Sequence, residues 1–130
     1  MSYAIVGIGE LVWDIFPDKS RLGGAPVTVA FHTKMLGHSG VPVTSIGDDG
    51  WGQRARQWLQ SRDIPTRWVK CDPKRATGTV DVDVKSTGEP HFAIAEDVAW
   101  DHLEWNYSLA GISSVADAVS FGTIAQRHPT

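Results

Sequence analysis

The chain has 130 residues, of which 42% are hydrophobic and 21% are charged, a composition typical of one globular domain and not of a disordered or fibrous chain. Its formal charge of −3, from 12 basic and 15 acidic side chains, comes without a basic run, so nucleic acid and anionic membranes are not expected as partners. One cysteine excludes an intrachain disulfide framework, and the lack of a signal-peptide pattern or of roughly 20 consecutive apolar residues predicts a cytoplasmic protein.

The first half of the chain alternates between strands and helices. Residues 3–8 form an apolar run, which predicts a strand buried on both faces of a parallel sheet. Pro26 suits the first turn of a helix, and the apolar spacing predicts that this helix covers residues 26–36. Residues 41–46 predict a second buried strand, and a helix with an apolar stripe follows from Trp51. This order favours an α/β fold with a mostly parallel sheet.

A β-hairpin interrupts this order. Over residues 79–85 apolar and polar side chains alternate, with Val80 and Val82 on the apolar face, and Phe92 and Ile94 resume the alternation after a turn. The pattern predicts a hairpin with one solvated face. In an α/β protein, such an excursion from the main sheet suits a lid or an interface.

A third core strand is predicted over residues 118–121. A parallel sheet with only three clear core strands has an open edge with unpaired backbone groups. We therefore expect the 130 residues to be part of a larger domain.

Two nucleotide-binding patterns are not supported. Gly7 and Gly9 follow the first strand, but the third glycine of the dinucleotide fingerprint would fall at Val12, and a strand-like segment replaces the helix. The phosphate-binding P-loop pattern is absent from the sequence.

Asp14 and a pair of glycines are candidates for a ligand site. Asp14 follows the first strand, where the loops of α/β sheets meet ligands, and a carboxylate there accepts hydrogen bonds from two sugar hydroxyls. Gly23 and Gly24 punctuate the loop predicted after Gly9, and glycine there allows a ligand to approach a helix N-terminus. The alternatives are a solvated loop acid and an ordinary loop-to-helix turn.

A metal site is not expected. Asp81 and Asp83 point the same way on the hairpin, but two acids without further ligands are more typical of a solvated strand face. The five histidines show no ligand spacing.

Five short segments occur in a characteristic order and spacing. They are Gly9-Glu10-Leu11-Val12-Trp13-Asp14, Leu22-Gly23-Gly24-Ala25-Pro26, Ile46-Gly47-Asp48-Asp49-Gly50-Trp51-Gly52, Thr77-Gly78-Thr79-Val80 and Phe121-Gly122-Thr123-Ile124-Ala125-Gln126-Arg127. Together these segments resemble the ribokinase/PfkB family of carbohydrate kinases, and its fructokinase branch in particular. The resemblance extends along essentially the whole chain.

The resemblance implies a partial ribokinase-like α/β/α sandwich with a small β-sheet lid, and ATP-dependent transfer of phosphate to a sugar such as fructose. It implies that Asp14 binds sugar hydroxyls, that Gly23 and Gly24 line the sugar pocket, and that Arg127, or Gln126 beside it, faces the substrate.

The resemblance also assigns the hairpin. It implies that residues 77–96, with the side chains of Val80, Val82, Phe92 and Ile94, form the lid. Because the lid is a dimer contact in several relatives, a homodimer is expected.

The sequence departs from the family pattern in two ways. Thr28 stands where the family usually carries Asn, which costs one polar contact and about 1 kcal/mol of sugar affinity. The family also uses ATP and Mg²⁺, and it carries its anion-hole glycines, catalytic Asp and nucleotide pocket near a Gly-Ala-Gly-Asp segment that residues 1–130 do not contain. We therefore expect these residues to be the N-terminal, sugar-binding part of the kinase domain, with no catalytic residue and no activity alone.

Two alternatives stay open. In the first, the chain is a non-catalytic sugar-binding or dimerisation module that keeps the lid. In the second, it is an unrelated α/β protein in which the five segments match the family by chance. Calorimetry that detects no binding of any sugar to a folded sample would count heavily against the first alternative.

Overall fold

The computed structural model describes residues 1–128. Within them, eight strands form two four-stranded sheets. The strands are β1 (Ala4–Ile8), β2 (Val12–Ile15), β3 (Ser20–Gly23), β4 (Ser39–Gly47), β5 (Val69–Asp72), β6 (Gly78–Val84), β7 (Pro90–Ile94) and β8 (Ala118–Phe121). The α-helices are α1 (Ala25–Met35), α2 (Gly50–Gln60) and α3 (Tyr107–Ser113), and short 3₁₀ helices cover Ala99–His102 and Ile124–Gln126.

Sheet A is parallel throughout, with the strand order β5-β4-β1-β8. The three strands predicted from apolar runs are confirmed as β1, β4 and β8. The fourth strand, β5, escapes prediction because only Val69 of its four residues is buried, so the strand has almost no apolar signal. All four strands run the same way, and their carboxyl ends therefore meet at one edge of the sheet.

Helices cover both faces of sheet A. On one face α1 and α2 share a core with Ile46 of β4, and on the other Leu109 and Ile112 of α3 pack against Val41 and Val43. Ile46 and Val43 differ by an odd number of positions, so they point to opposite faces of the strand. The predicted α/β class is confirmed. None of the helices within residues 1–128 has the length and apolar character to cross a membrane.

Sheet B contains the predicted hairpin and has the strand order β3-β2-β6-β7. The β2–β6 pair is parallel and the other two pairs are antiparallel. Val80 and Val82 are buried while Asp81 and Asp83 are exposed, as the alternation predicts. The expectation of a single solvated face is wrong for β7, whose five residues are all exposed, because β7 is the outer strand of the sheet.

The segment predicted as a loop contains β3. Ser20–Gly23 pairs with β2 in an antiparallel ladder, so the prediction of a loop after Gly9 is wrong for both β2 and β3. The segment is polar and rich in glycine, and its pairing with β2 overrides that weak local preference. Asp14 consequently lies within a strand, with Arg21 opposite it on β3 and Val80 opposite it on β6.

Candidate functional site

A cavity of about 270 Å³ lies between the carboxyl edge of sheet A and the inner face of sheet B. Five residues predicted for the sugar pocket or the lid line it, namely Asp14, Gly24, Val80, Phe92 and Ile94. The volume is near the lower end of the roughly 300–1,000 Å³ range of small-molecule pockets. The cavity therefore suits a ligand about the size of a monosaccharide.

Asp14 brings a carboxylate into this cavity from β2. Burial raises the pKa of the Asp14 carboxyl above its usual value of 3.8, and the positive charge of Arg21 offsets part of the increase. No hydrogen bond from residues 1–128 contributes to this shift. The carboxylate is thus partly desolvated and has acceptor capacity left for a ligand.

The glycine pair shapes the wall beside Asp14. A Cβ atom added to Gly23 would lie 3.1 Å from Oδ2 of Asp14. Gly24 has a φ of 97°, a conformation that favours glycine, and it is the N-cap residue of α1. Thr28 is exposed in the first turn of α1, where its N–H donates to the Gly24 carbonyl at 3.0 Å. Thr28 is not among the residues that line the cavity.

Asp49 connects the start of α2 to Thr77, the residue that precedes β6. Its carboxylate accepts hydrogen bonds from the N–H of Gly52 at 2.8 Å, from the N–H of Thr77 at 2.8 Å and from the Thr77 hydroxyl at 2.7 Å. The same hydroxyl accepts a hydrogen bond from the N–H of Gly47 at 2.9 Å. Burial opposes ionisation of Asp49, but these hydrogen bonds outweigh it and hold its pKa below the usual value. Two of the five recognised segments are therefore joined through one carboxylate.

Replacement of Asp49 by alanine is expected to lower the free energy of unfolding by about 2 kcal/mol. A helix N-cap contributes about 1 kcal/mol, and the donors of Thr77 lose their partner as well. Urea denaturation followed by circular dichroism measures the change. Asp48→Ala is the matched control, because Asp48 is exposed and its loss should cost less than about 0.5 kcal/mol.

The stabilisation by Asp49 should also depend on pH. Because the pKa of Asp49 is lowered in the folded state, its contribution is present above about pH 4 and is lost as the pH falls through the folded-state pKa. The difference in stability between the wild type and Asp49→Ala should therefore narrow in acid. Equal losses for Asp49→Ala and Asp48→Ala at neutral pH would contradict this role.

Arg127, predicted to face the substrate, is held in a partly buried ion pair. Its Nε donates to Oδ1 of Asp101 at 2.7 Å and its Nη2 donates to Oδ2 at 2.6 Å and to the carbonyl of Ala95 at 2.7 Å. The guanidinium also lies 4.4 Å from the ring centroid of Trp100. Burial opposes ionisation of Asp101, but its contacts with Arg127 prevail, so the pKa of Asp101 is lowered and that of Arg127 is raised. Arg127 thus links Ala95, which follows β7, to the 3₁₀ helix Ala99–His102.

Gln126 lines a second cavity, of about 430 Å³, at the ends of β1 and β8. Gly9, Gly122 and Asp101 also line it. Glu10, the neighbour of Gly9, lines the first cavity, so the two cavities lie on either side of the turn after β1. Arg127 lines neither of them. In the described residues, Gln126 and Arg127 therefore have different surroundings despite being adjacent.

Two further positions differ from a simple lid-and-pocket arrangement. Val82 does not line the cavity and instead packs in the core of sheet B with Val12 and Trp100. Glu10 does line the cavity, although the sequence alone did not single it out. Its position directly after β1, at the carboxyl edge of the sheet, is the signal that indicates it. The part of the chain that the structure describes contains no group of three or more His, Cys, Asp or Glu side chains arranged to hold a metal ion.

Comparisons with known proteins agree with one another. The family model described as pfkB family carbohydrate kinase matches residues 9–121. The uncharacterized sugar kinase PH1459 of Pyrococcus horikoshii is 31% identical over 138 residues, covering 97% of this chain and 44% of PH1459. Its crystal structure superposes with a TM-score of 0.85 at 28% identity, over 96% of this chain and 47% of that one, and PH1459 has also been solved in complex with ATP.

Two further relatives are a fructokinase of Klebsiella pneumoniae and an ATP-dependent 6-phosphofructokinase of Thermoanaerobacterium thermosaccharolyticum. The first is 34% identical over 90 residues, covering 65% of this chain and 29% of the relative. The second is 25% identical over 132 residues, covering 93% of this chain and 40% of the relative. The chain spans less than half the length of each of these proteins. Because the family match covers most of its residues and the fold agrees with that of PH1459, the chain belongs to the pfkB family of carbohydrate kinases.

Proposed function

We propose that this chain is the sugar-binding and lid part of a fructokinase-type sugar kinase, an enzyme that transfers a phosphoryl group from ATP to a sugar hydroxyl. The observation that carries the proposal is the cavity in which the Asp14 carboxylate faces apolar side chains of the lid, Val80 and Phe92 among them. The fructokinase and sugar kinase names of its relatives support the substrate class.

In this proposal Asp14 orients the sugar. Its carboxylate accepts hydrogen bonds from two neighbouring hydroxyls, each worth roughly 1.5–3 kcal/mol before desolvation costs. Val80, Phe92 and Ile94 cover the less polar face of the sugar ring and exclude water from it. Gly23 and Gly24 leave room for the sugar beside Asp14, and Gln126 contacts the part of the substrate that extends into the second cavity.

We further propose that ATP and Mg²⁺ are held by residues outside this chain, and that the chain alone does not catalyse phosphoryl transfer. ATP would supply the transferred phosphoryl group. The two cavities described above do not fit a triphosphate, because no Lys or Arg side chain lines either of them and the charged side chains in the first are carboxylates. Phosphoryl transfer depends on electrostatic stabilisation of the phosphates, which these side chains oppose.

Calorimetry on the 130-residue chain tests the sugar site, with fructose, glucose, ribose and 2-keto-3-deoxygluconate as probes. Fructose should bind, and a coupled assay with ATP, Mg²⁺ and fructose should show no turnover. A folded sample that binds none of the four sugars would contradict the proposal. Normal turnover would contradict the placement of the nucleotide site outside the chain.

A homodimer that forms through the lid is also part of the proposal, and it is the basis of the alternative function as a non-catalytic module. Its support is that β7 is an outer strand, with a free edge among the described residues, and that Val84 at the tip of the hairpin is 57% exposed. Exposed strand edges pair with other chains. Sedimentation analysis should detect a dimer that Val84→Lys weakens, and a monomer at every concentration would remove this alternative.

A further inference from the structure

Glu10 is a buried acid whose partner is missing from residues 1–128. Its side chain is only 3% exposed, and its Oε2 atom has no hydrogen-bond partner among the described residues. Buried carboxylates are normally paired or hydrogen-bonded, because the loss of water is otherwise uncompensated. Glu10 lines the same cavity as Asp14, so a ligand in that cavity can supply the missing donor.

Glycines from two other segments make room for Glu10. A Cβ atom on Gly122 would clash with both carboxylate oxygens of Glu10, and a Cβ atom on Gly24 would clash with its backbone carbonyl. The residue thus lies where the turn after β1, the N-terminus of α1 and the end of β8 converge. A side chain confined in this way has few alternative positions, which suits a group that holds a ligand in one orientation.

The charged side chains that line the cavity are of one sign. Glu10 and Asp14 both line it, and no Lys, Arg or His side chain does so among the described residues. Arg21 pairs in register with Asp14 but lies outside the lining. In a confined and partly desolvated site, two carboxylates repel a further anion and attract hydrogen-bond donors and cations.

We propose that Glu10 is a second sugar-contacting carboxylate, and that with Asp14 it selects uncharged, hydroxyl-rich sugars over sugar acids and sugar phosphates. This inference rests on the proposed function, because it needs a sugar in the cavity. Each hydroxyl that donates to Glu10 satisfies a buried oxygen, whereas a carboxylate or phosphate group in the same place adds a third negative charge.

A charge series of ligands tests this inference on the whole 130-residue chain. Fructose, fructose 6-phosphate and 1-amino-1-deoxyfructose carry neutral, negative and positive groups on the same sugar. Calorimetry should show that the phosphate binds at least about 100-fold more weakly than fructose, and that the amine binds no more weakly than fructose. Glu10→Gln should weaken fructose binding about tenfold and reduce the discrimination against the phosphate about tenfold.

Asp81→Asn is the matched control, because it removes one negative charge from the exposed face of the lid. It should change neither the affinity for fructose nor the discrimination against fructose 6-phosphate. The inference would be overturned if Glu10→Gln changed neither the affinity for fructose nor the discrimination against fructose 6-phosphate. The proposed function would still stand in that case. A folded chain that binds none of the three ligands would contradict the proposed function, and with it the inference.

A second measurement covers the case in which Glu10→Gln does not fold. In Asp14→Asn, which removes the other negative charge of the cavity lining, the discrimination against fructose 6-phosphate should fall about tenfold. Discrimination that stays at the wild-type level in Asp14→Asn would overturn the charge selection.

Discussion

Replacement of Arg127 by alanine is expected to lower the free energy of unfolding by about 3 kcal/mol, the lower end of the range for a buried ion pair, because Arg127 itself is 23% exposed. The side chain of Asp101 has no solvent exposure, so the variant leaves a buried carboxylate without the two hydrogen bonds that now stabilise its charge. His128 lies 3.6 Å from Asp101 and is half exposed, so it cannot replace both bonds. Urea denaturation gives the change directly.

Arg67→Ala is the matched control for this prediction. Arg67 also lies over a tryptophan, 5.1 Å from the ring centroid of Trp68, but no carboxylate lies within ion-pair distance of it in the described residues. Its loss should cost under about 1 kcal/mol. The double variant Arg127→Ala/Asp101→Asn should recover part of the stability, because it removes the uncompensated charge. Full stability of Arg127→Ala with a loss of fructose affinity would instead support a direct contact between Arg127 and the substrate.

Asp14→Ala is expected to weaken fructose binding about 100-fold, and Asp14→Asn about tenfold, since the amide keeps one acceptor oxygen but loses the charge. Neither change should lower the free energy of unfolding, because burial raises the pKa of Asp14 and its charged form is therefore disfavoured by the fold. Calorimetry and urea denaturation on the same samples separate the two effects. A loss of stability that matches the loss of affinity would indicate a structural role for Asp14.

The pH dependence of fructose binding gives an independent check. Hydrogen-bond acceptance by Asp14 requires the ionised form, so affinity should fall as the pH decreases through a pKa that lies above 3.8. Asp14→Asn should lose this part of the pH dependence. The exposed Asp83→Asn variant should keep it, and a variant at position 14 with the wild-type pH profile would contradict the assignment.

The parts of the fold with strong periodic signals are predictable from the sequence. The strand β4 is buried along most of its length and no residue of β1 is exposed, and an apolar run is what such strands require. The hairpin is predictable because Val80 and Val82 alternate with exposed acids. Short strands with polar residues are not predictable in this way, and β3 and β5 form because a neighbouring strand pairs with them.

The residues of the candidate site can be predicted from the sequence only where the order of strands and helices indicates them. Asp14 lies in β2, the strand directly after the turn that ends β1, and Gly24 precedes α1, and both line the cavity. Arg127 could not be placed, because its partner Asp101 is 26 residues away and no local pattern relates the two. Glu10 has the correct position in the sheet but no distinguishing neighbours in sequence, and the significance of its burial depends on Gly122 from the far end of the chain.

The central position of β1 in sheet A has a consequence for the order of folding. β1 pairs with β4, which follows at once after α1, but its other partner is β8, and the contact between Ala4 and Asp117 spans 113 residues. Loop closure over that length delays pairing, so β1, β4 and β5 should form first and β8 should join last. Pulse-labelled hydrogen exchange would detect late protection of the β8 amides. Competence to bind sugar should then appear only in this last step, because Gly122 follows β8 and completes the wall around Glu10.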